Sequence, residues 1–269
     1  GFCRNKALHG ACRNGAHDGR AALQAEHAWV EQAPVVGSQP PAATPVLLIL
    51  DFEGGGNPTG QHGEDELIEM PVLAMCAVTG RELGRFHRFT RPPIWSAGSM
   101  RSRFPATCFN DTSTAVPFPE AVVGLKAWIA ALVSMPVDRL TGEEFLFVTC
   151  GDWDLKTAFP RQCNKPTPGA VDFESMRLLC SRWCNLKEAF RRHHGLTVEA
   201  APTGMRGMLQ RLKLPLVGQH HLGMDDVGNI ASVARALILA GARLEPTAGA
   251  HCGKRTAPAP AEPRPQVVR

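Results

Sequence analysis

The alternation of apolar and polar positions predicts strands in the first half of the folded part of the chain. Residues 46–50 form an uninterrupted apolar run, which is typical of a strand buried on both faces. Residues 71–78 and 81–90 flank Thr79-Gly80 and predict two antiparallel strands joined by a tight turn. Another short apolar run at 145–149 predicts a second buried strand.

Later segments carry apolar residues at helical spacing. The pattern predicts helices over 119–133, 173–194, 203–213 and 226–240. The last of these has one apolar face and meets a glycine stop signal at Gly241. Strands followed by strands alternating with helices indicate an α/β fold in which helices flank a mixed sheet.

Composition indicates where the folded part begins and ends. Residues 1–44 show little periodicity and lead into a Pro-rich stretch, so we expect a disordered or targeting segment there. Residues 249–269 are rich in alternating alanine and proline and predict a disordered, basic tail. One folded domain is expected over 45–248. The net charge of +4 belongs to the two terminal segments, so no global positive field draws nucleic acid to the domain.

Cysteine usage and hydropathy bear on the compartment. Several of the nine cysteines lie in apolar runs, which favours buried free thiols in a reducing compartment. We therefore expect an intracellular protein of the cytoplasm or nucleus, and the basic first 20 residues leave a mitochondrial transit peptide as an alternative. Cys180 and Cys184 with His193 and His194 form an alternative zinc-binding set. No apolar run is long enough to cross a membrane, so we expect no membrane partner.

Acidic side chains follow the two buried strands and open the last helix. Asp51 and Glu53 come directly after the first strand, and their two-residue spacing directs both side chains to one face. Asp154 follows the second buried strand, and Asp226 begins the last helix, shortly after His221. Magnesium and manganese prefer oxygen ligands contributed by several elements. The four carboxylates therefore predict a two-cation site that hydrolyses a phosphodiester.

Hydrolysis of this kind needs a base that takes a proton from water, and histidine titrates near neutral pH. His221 is the candidate on the loop before Asp226, although His220 fits equally well by residue type. Asp152 and Asp225 are expected to cap or support neighbouring groups rather than bind a cation. The acidic residues also have a structural interpretation, since a carboxylate after a strand is common in turns.

The order of these residues matches one known family. The matching segments are Leu50-Asp51-Phe52-Glu53, Phe147-Val148-Thr149-Cys150-Gly151-Asp152-Trp153-Asp154-Leu155-Lys156 and His221-x-Gly223-x-Asp225-Asp226-x-x-Asn229-Ile230-Ala231. Supporting segments are Glu66-Leu67-Ile68-Glu69-Met70-Pro71, Arg161-Gln162-Cys163 and Trp183-Cys184-Asn185-Leu186-Lys187. Over about residues 46–245 the chain resembles the DEDDh 3′-to-5′ exonucleases, and within them the Eri-type exoribonucleases with their prion-interactor branch.

The resemblance implies a ribonuclease H-like fold and a site for two magnesium or manganese ions. The ligands would be Asp51, Glu53, Asp154 and Asp226, with His221 as the general base. The family removes nucleotides one at a time from RNA 3′ ends and releases nucleoside 5′-monophosphates. The partner that the resemblance implies is therefore a single-stranded RNA 3′ end or a short overhang. The sequence does not identify a protein partner.

Two differences from the family concern the substrate. Gly54-Gly55-Gly56 stands where the family has Ala-Thr, and no counterpart of its Leu-Thr-Gly-Ile segment occurs between residues 91 and 119. Phe52, Gly54 and Trp153 are the candidate substrate contacts, although Trp153 fits a place in the core equally well. Besides an RNA exonuclease, two hypotheses stay open: a DNA-directed 3′-to-5′ exonuclease with the same chemistry, and a catalytically impaired RNA-binding or scaffold protein.

Overall fold

An eight-stranded mixed sheet forms the centre of the structure, a computed structural model that describes residues 46–55, 66–91, 115–165 and 170–249. The strands are β1 Val46–Leu50, β2 Glu53–Gly55, β3 Glu66–Cys76, β4 Glu82–Arg91, β5 Val116–Pro117, β6 Phe145–Thr149, β7 Arg182–Asn185 and β8 Ala248–Gly249. Their order across the sheet is β5-β4-β3-β1-β6-β7-β8, and β2 pairs with β3 outside this path.

Strand β1 lies in the middle of the sheet, antiparallel to β3 and parallel to β6. All of its residues are buried, because alternate side chains enter two apolar clusters on opposite faces of the sheet. β3 and β4 form the predicted antiparallel hairpin, although β3 begins at Glu66 instead of residue 71. The added residues of β3 pair with β2, a strand that the apolar pattern did not indicate.

Helices cover both faces of the sheet. They are α1 Phe118–Leu132, α2 Phe159–Cys163, α3 Phe173–Cys180, α4 Leu186–His193, α5 Met205–Leu212 and α6 Gly223–Leu239. One apolar cluster joins the sheet to α1, α2 and α3, and the other joins it to α4, α5 and α6. The predicted α/β fold is therefore confirmed, with α6 beginning at Gly223 instead of residue 226.

The single helix predicted over 173–194 is wrong. The structure has α3, then β7, then α4, because Trp183 and Cys184 enter opposite apolar clusters and continue the sheet parallel to β6. The Asn185 side chain then caps α4 by accepting a backbone hydrogen bond at 3.1 Å. Helical spacing on both sides of a four-residue strand had hidden the break.

The described residues bear mainly on the C-terminal limit of the predicted domain, 45–248. The predicted N-terminal segment, residues 1–44, lies outside the described residues, as does most of the predicted tail. Gly249 pairs with Arg182 of β7, so the sheet reaches past the predicted limit at residue 248. Within the part of the chain that the structure describes, no helix has the length and apolar character needed to cross a bilayer.

The five cysteines within the described ranges are free thiols, as the sequence predicts. Cys184 is buried in the cluster of α4, α5 and α6, whereas Cys180 packs against the cluster on the opposite face of the sheet. The two thiols therefore do not form the alternative zinc set with His193 and His194. Among the described residues, the groups that could hold a cation lie elsewhere.

Candidate active site

Three carboxylates from different elements converge where β1 ends. Asp51 follows the last residue of β1, Glu53 opens β2, and Asp226 lies in the first turn of α6. One carboxylate oxygen from each of these three residues lies within 4.8 Å of the other two. The structure therefore brings three of the four predicted ligands to one point.

Asp154, the fourth predicted ligand, begins a π-helical turn, Asp154–Ala158, that follows β6. Its residue is 4% exposed, and its Oδ1 accepts a hydrogen bond from the Phe52 amide at 2.8 Å. Because Phe52 stands between Asp51 and Glu53 in the chain, this bond fixes Asp154 beside the other acidic residues. The charge of Asp154 raises the pKa of Asp51.

The grouped carboxylates disfavour each other's ionisation. Burial and four neighbouring carboxylates hold the pKa of Asp51 well above its usual range. In falling order of effect, these neighbours are Asp154, Glu53, Asp226 and Glu69. Burial also raises the pKa of Asp154 to about 6, against the opposing effects of the Phe52 amide and Lys187. A divalent cation would offset this repulsion, and a donor set of carboxylate oxygens suits magnesium or manganese.

Both candidate histidines lie against Asp226. His220 Nδ1 is 2.9 Å from each carboxylate oxygen of Asp226, and the His221 amide donates to Asp226 Oδ2 at 2.8 Å. The two imidazole rings stack with centroids 3.9 Å apart. His221 is the exposed member of the pair and has a φ of 72°, in the left-handed region. The His221 ring is thus exposed at the site, with one nitrogen within 4.8 Å of an Asp226 carboxylate oxygen, while its backbone holds that carboxylate.

The loop before these histidines is tied to α6. The Asn229 side chain accepts from the Val217 amide at 2.9 Å and donates to the Val217 carbonyl at 2.8 Å. Asp225 Oδ2 accepts from the Gln219 amide at 2.8 Å, and a Cβ added at Gly218 would lie 2.3 Å from the Asp225 carboxyl carbon. Asp225 thus supports the loop backbone, in agreement with the sequence-based interpretation.

Known proteins are similar to this chain in sequence. No family model matches the chain. An uncharacterised exonuclease domain-containing protein of Arabidopsis thaliana is 30% identical over 211 residues, which cover 75% of this chain and 56% of that protein. ERI1 exoribonuclease 3 of Homo sapiens is 28% identical over 225 residues, which cover 81% of this chain and 60% of that protein.

A solved structure is similar to this chain in fold. The nuclease domain of 3′hExo, a DEDDh family member bound to rAMP, superposes with a TM-score of 0.59 at 22% identity, covering 77% of this chain and 98% of that domain. By sequence the chain is a homologue of proteins named exonuclease domain-containing and ERI1 exoribonuclease, and by fold it is similar to a DEDDh family member. The predicted family and the ribonuclease H-like fold are thereby confirmed. This DEDDh homologue spans only 56% and 60% of the two relatives' lengths.

Two of the three predicted substrate contacts of this DEDDh homologue are part of the packing around the site. Phe52 is 5% exposed and its ring stacks on Phe159 at 6.0 Å, which speaks against a contact between that ring and a base. Trp153 is partly buried against the same apolar cluster, and a Cβ added at Gly54 would lie 3.3 Å from its ring. Gly54 therefore gives Trp153 room beside the turn. Residues 92–114, where a counterpart of the family's Leu-Thr-Gly-Ile segment would fall, lie outside the described ranges.

Two residues near the site had been assigned no role from the sequence. Glu69 is a buried carboxylate whose charge raises the pKa of Asp51. Lys187 lowers the pKa of Asp154, and its Nζ would lie 3.2 Å from a Cβ added at Gly151. Both stand in the supporting segments of the DEDDh resemblance, which marked them as matching positions without indicating what they do.

Proposed function

We propose that this chain is a metal-dependent 3′-to-5′ exonuclease that removes nucleotides from RNA 3′ ends as nucleoside 5′-monophosphates. The observation that carries the proposal is the convergence of Asp51, Glu53 and Asp226 beside the buried Asp154. The human relative's name, ERI1 exoribonuclease 3, and the rAMP bound to the 3′hExo domain support RNA as the substrate class.

Each residue has a distinct part in the proposed reaction. Asp51, Glu53, Asp154 and Asp226 would hold magnesium or manganese, which when bound lowers the pKa of water and stabilises charge on phosphate. His221 takes the proton from the attacking water, since its ring is exposed next to the carboxylates. The backbone amide of the same residue keeps Asp226 oriented. The base and one ligand are therefore positioned by one loop.

The direct test uses one single-stranded RNA labelled either at its 5′ end, to show shortening, or uniformly, to show the released nucleotides, with Mg²⁺ or Mn²⁺ as the added ion. The wild-type chain should shorten the RNA from its 3′ end and release 5′-monophosphates. Asp51→Asn should be slower by about a hundredfold or more, because one carboxylate of the set is lost. Asp138→Asn is the matched control, since Asp138 is an exposed acid in the turn Val137–Arg139.

Three outcomes separate the alternatives. Equal release by wild type and Asp51→Asn would show that the carboxylate set is not the active site. Faster shortening of a DNA strand than of an RNA strand of the same sequence would favour the DNA-directed exonuclease. RNA binding without release under both ions would favour the RNA-binding or scaffold protein.

A further inference from the structure

Glu69 is a buried carboxylate outside the four predicted ligands. It lies in β3 and is 4% exposed. Its Oε1 is 2.8 Å from His87 Nε2 on the neighbouring strand β4, and its Oε2 accepts a hydrogen bond from the Gly223 amide at 3.1 Å. Burial of an ionised carboxylate is costly unless its oxygens have partners, and both oxygens of Glu69 have one.

The Gly223 contact lies at the start of the helix that carries Asp226. Leu222 occupies the N-cap position of α6, and α6 has no side-chain cap hydrogen bond of its own. The first amides of a helix lack partners within the helix, and an anion is favoured there. Glu69, 154 positions earlier in the chain, supplies that acceptor from the sheet.

The helix approaches the sheet closely at this point. A Cβ added at Gly223 would lie 2.7 Å from Pro71 Cγ and 2.9 Å from Glu69 Cδ. Contacts this short do not occur for real side chains, so only glycine allows α6 to begin directly against β3. The position of the first turn of α6 thus depends on the Pro71 and Glu69 side chains that β3 places against it.

The backbone of Glu69 also pairs with the strand on the other side of the site. It is the register partner of Glu53 across the β2–β3 pair, while its side chain holds Gly223. One residue therefore links the strand that bears Glu53 to the helix turn that bears Asp226. His87 fixes the Glu69 carboxylate from the second strand of the hairpin.

We propose that Glu69, oriented by His87, is a positioning residue that sets the separation of Glu53 and Asp226 and thereby the cation affinity of the site. This proposal rests on the proposed function in taking these two carboxylates as cation ligands. Glu69 itself touches neither the substrate nor the ion in this scheme. It acts through the start of α6.

The test compares two substitutions of Glu69 in the full chain, with Mn²⁺ binding measured by calorimetry. Glu69→Gln keeps an oxygen for the Gly223 amide, so its Mn²⁺ Kd should stay within about threefold of wild type. Glu69→Leu fills similar space without an acceptor, and its Kd should rise about tenfold or more, as for other residues that support metal ligands. Glu174→Gln, which alters the exposed pair with Arg177 on α3, is the control and should leave the Kd unchanged.

Hydrogen exchange of the backbone gives a readout that does not depend on metal or activity. Amides of residues 222–226 should exchange faster in Glu69→Leu than in wild type, whereas Glu69→Gln should resemble wild type. Rescue by the isosteric amide distinguishes a specific cap from general loss of packing. Thermal unfolding of each variant shows whether it is folded.

Gly223→Ala is the second variant if Glu69→Leu does not fold. Alanine favours a helix over glycine in general, but here its Cβ would push α6 away from β3, so the Mn²⁺ Kd should rise about tenfold or more. Wild-type Mn²⁺ affinity together with wild-type exchange in Glu69→Leu, or unchanged affinity in Gly223→Ala, would overturn the proposal. Absence of Mn²⁺ binding by the wild type would overturn the proposed function and the cation part of this proposal, while exchange would still report on the cap.

Discussion

At the scale of single residues, adjacent histidines of the same chemical type have different surroundings. His220 directs Nδ1 at the Asp226 carboxylate, whereas His221 holds Asp226 through its amide and exposes its ring. The His221 ring is the more exposed of the two and can be reached by an attacking water, and it stands at the position that the DEDDh resemblance gives to the base. We therefore expect His221 to be the base and His220 to orient Asp226.

Asparagine substitution of each histidine tests this assignment. Asparagine tolerates the left-handed backbone of His221, so His221→Asn should lower kcat by about a hundredfold or more while the Mn²⁺ Kd stays near wild type. His220→Asn should mainly weaken Mn²⁺ binding, by about tenfold. Steady-state kinetics on a short RNA and calorimetry separate the two effects. The reverse result would assign the base to His220.

At the scale of elements, α6 and the loop that precedes it form one unit. Asn229 is 2% exposed and makes hydrogen bonds to both backbone groups of Val217 and to the Asp225 carbonyl. The loop carries the histidines and α6 carries Asp226. The side chain of Asn229 therefore fixes the position of the loop relative to the helix.

Asn229→Ala should lower the free energy of unfolding by about 2 kcal/mol, because the loop loses the two hydrogen bonds that the buried Asn229 side chain makes with the Val217 backbone. Urea unfolding followed by circular dichroism measures this change. Ser232→Ala is the matched control, since the Ser232 hydroxyl bonds only within the helix, to the Gly228 carbonyl; its cost should be below about 0.5 kcal/mol. Equal costs for both variants would show that the Asn229 contacts to the loop contribute nothing specific.

At the scale of the whole molecule, the grouped carboxylates that would bind a cation lower the stability of the cation-free protein at neutral pH. Burial raises the pKa of Asp154 from 3.8 to about 6, and burial together with its acidic neighbours holds the pKa of Asp51 well above its usual range. Between pH 3.8 and about pH 6, the folded chain therefore binds more protons than the unfolded chain does. Stability contributed by the protonated carboxyls is therefore present at low pH and lost as pH rises through about 6.

Thermal unfolding in EDTA should show this loss between about pH 4 and pH 7. Asp154→Asn removes one of the two titrations, so its melting temperature should fall less over the same range than that of wild type. Added Mn²⁺ at pH 7 should raise the wild-type melting temperature, since the ion binds the folded state. A wild-type and an Asp154→Asn profile that run parallel in EDTA would contradict the raised pKa of Asp154.

The sequence by itself determined the elements whose burial is local. The uninterrupted run 46–50 predicted a strand covered on both faces, and the one-sided apolar spacing of 226–240 predicted a helix with one buried face; the structure has both elements. The spacing of Asp51 and Glu53 likewise directs two carboxylates to one point, because side chains two apart in an extended chain share a face. These conclusions need only the period of the backbone.

Only the tertiary structure decided what depends on the pairing of distant segments. β7 exists because Trp183 and Cys184 meet apolar clusters on opposite faces of the sheet, which no local period reports. Glu69 caps a helix that starts 154 positions later, and the burial of Phe52 follows from a ring on α2. The reason is physical: periodicity shows which face of an element is apolar, whereas register and close approach decide which groups that face will meet.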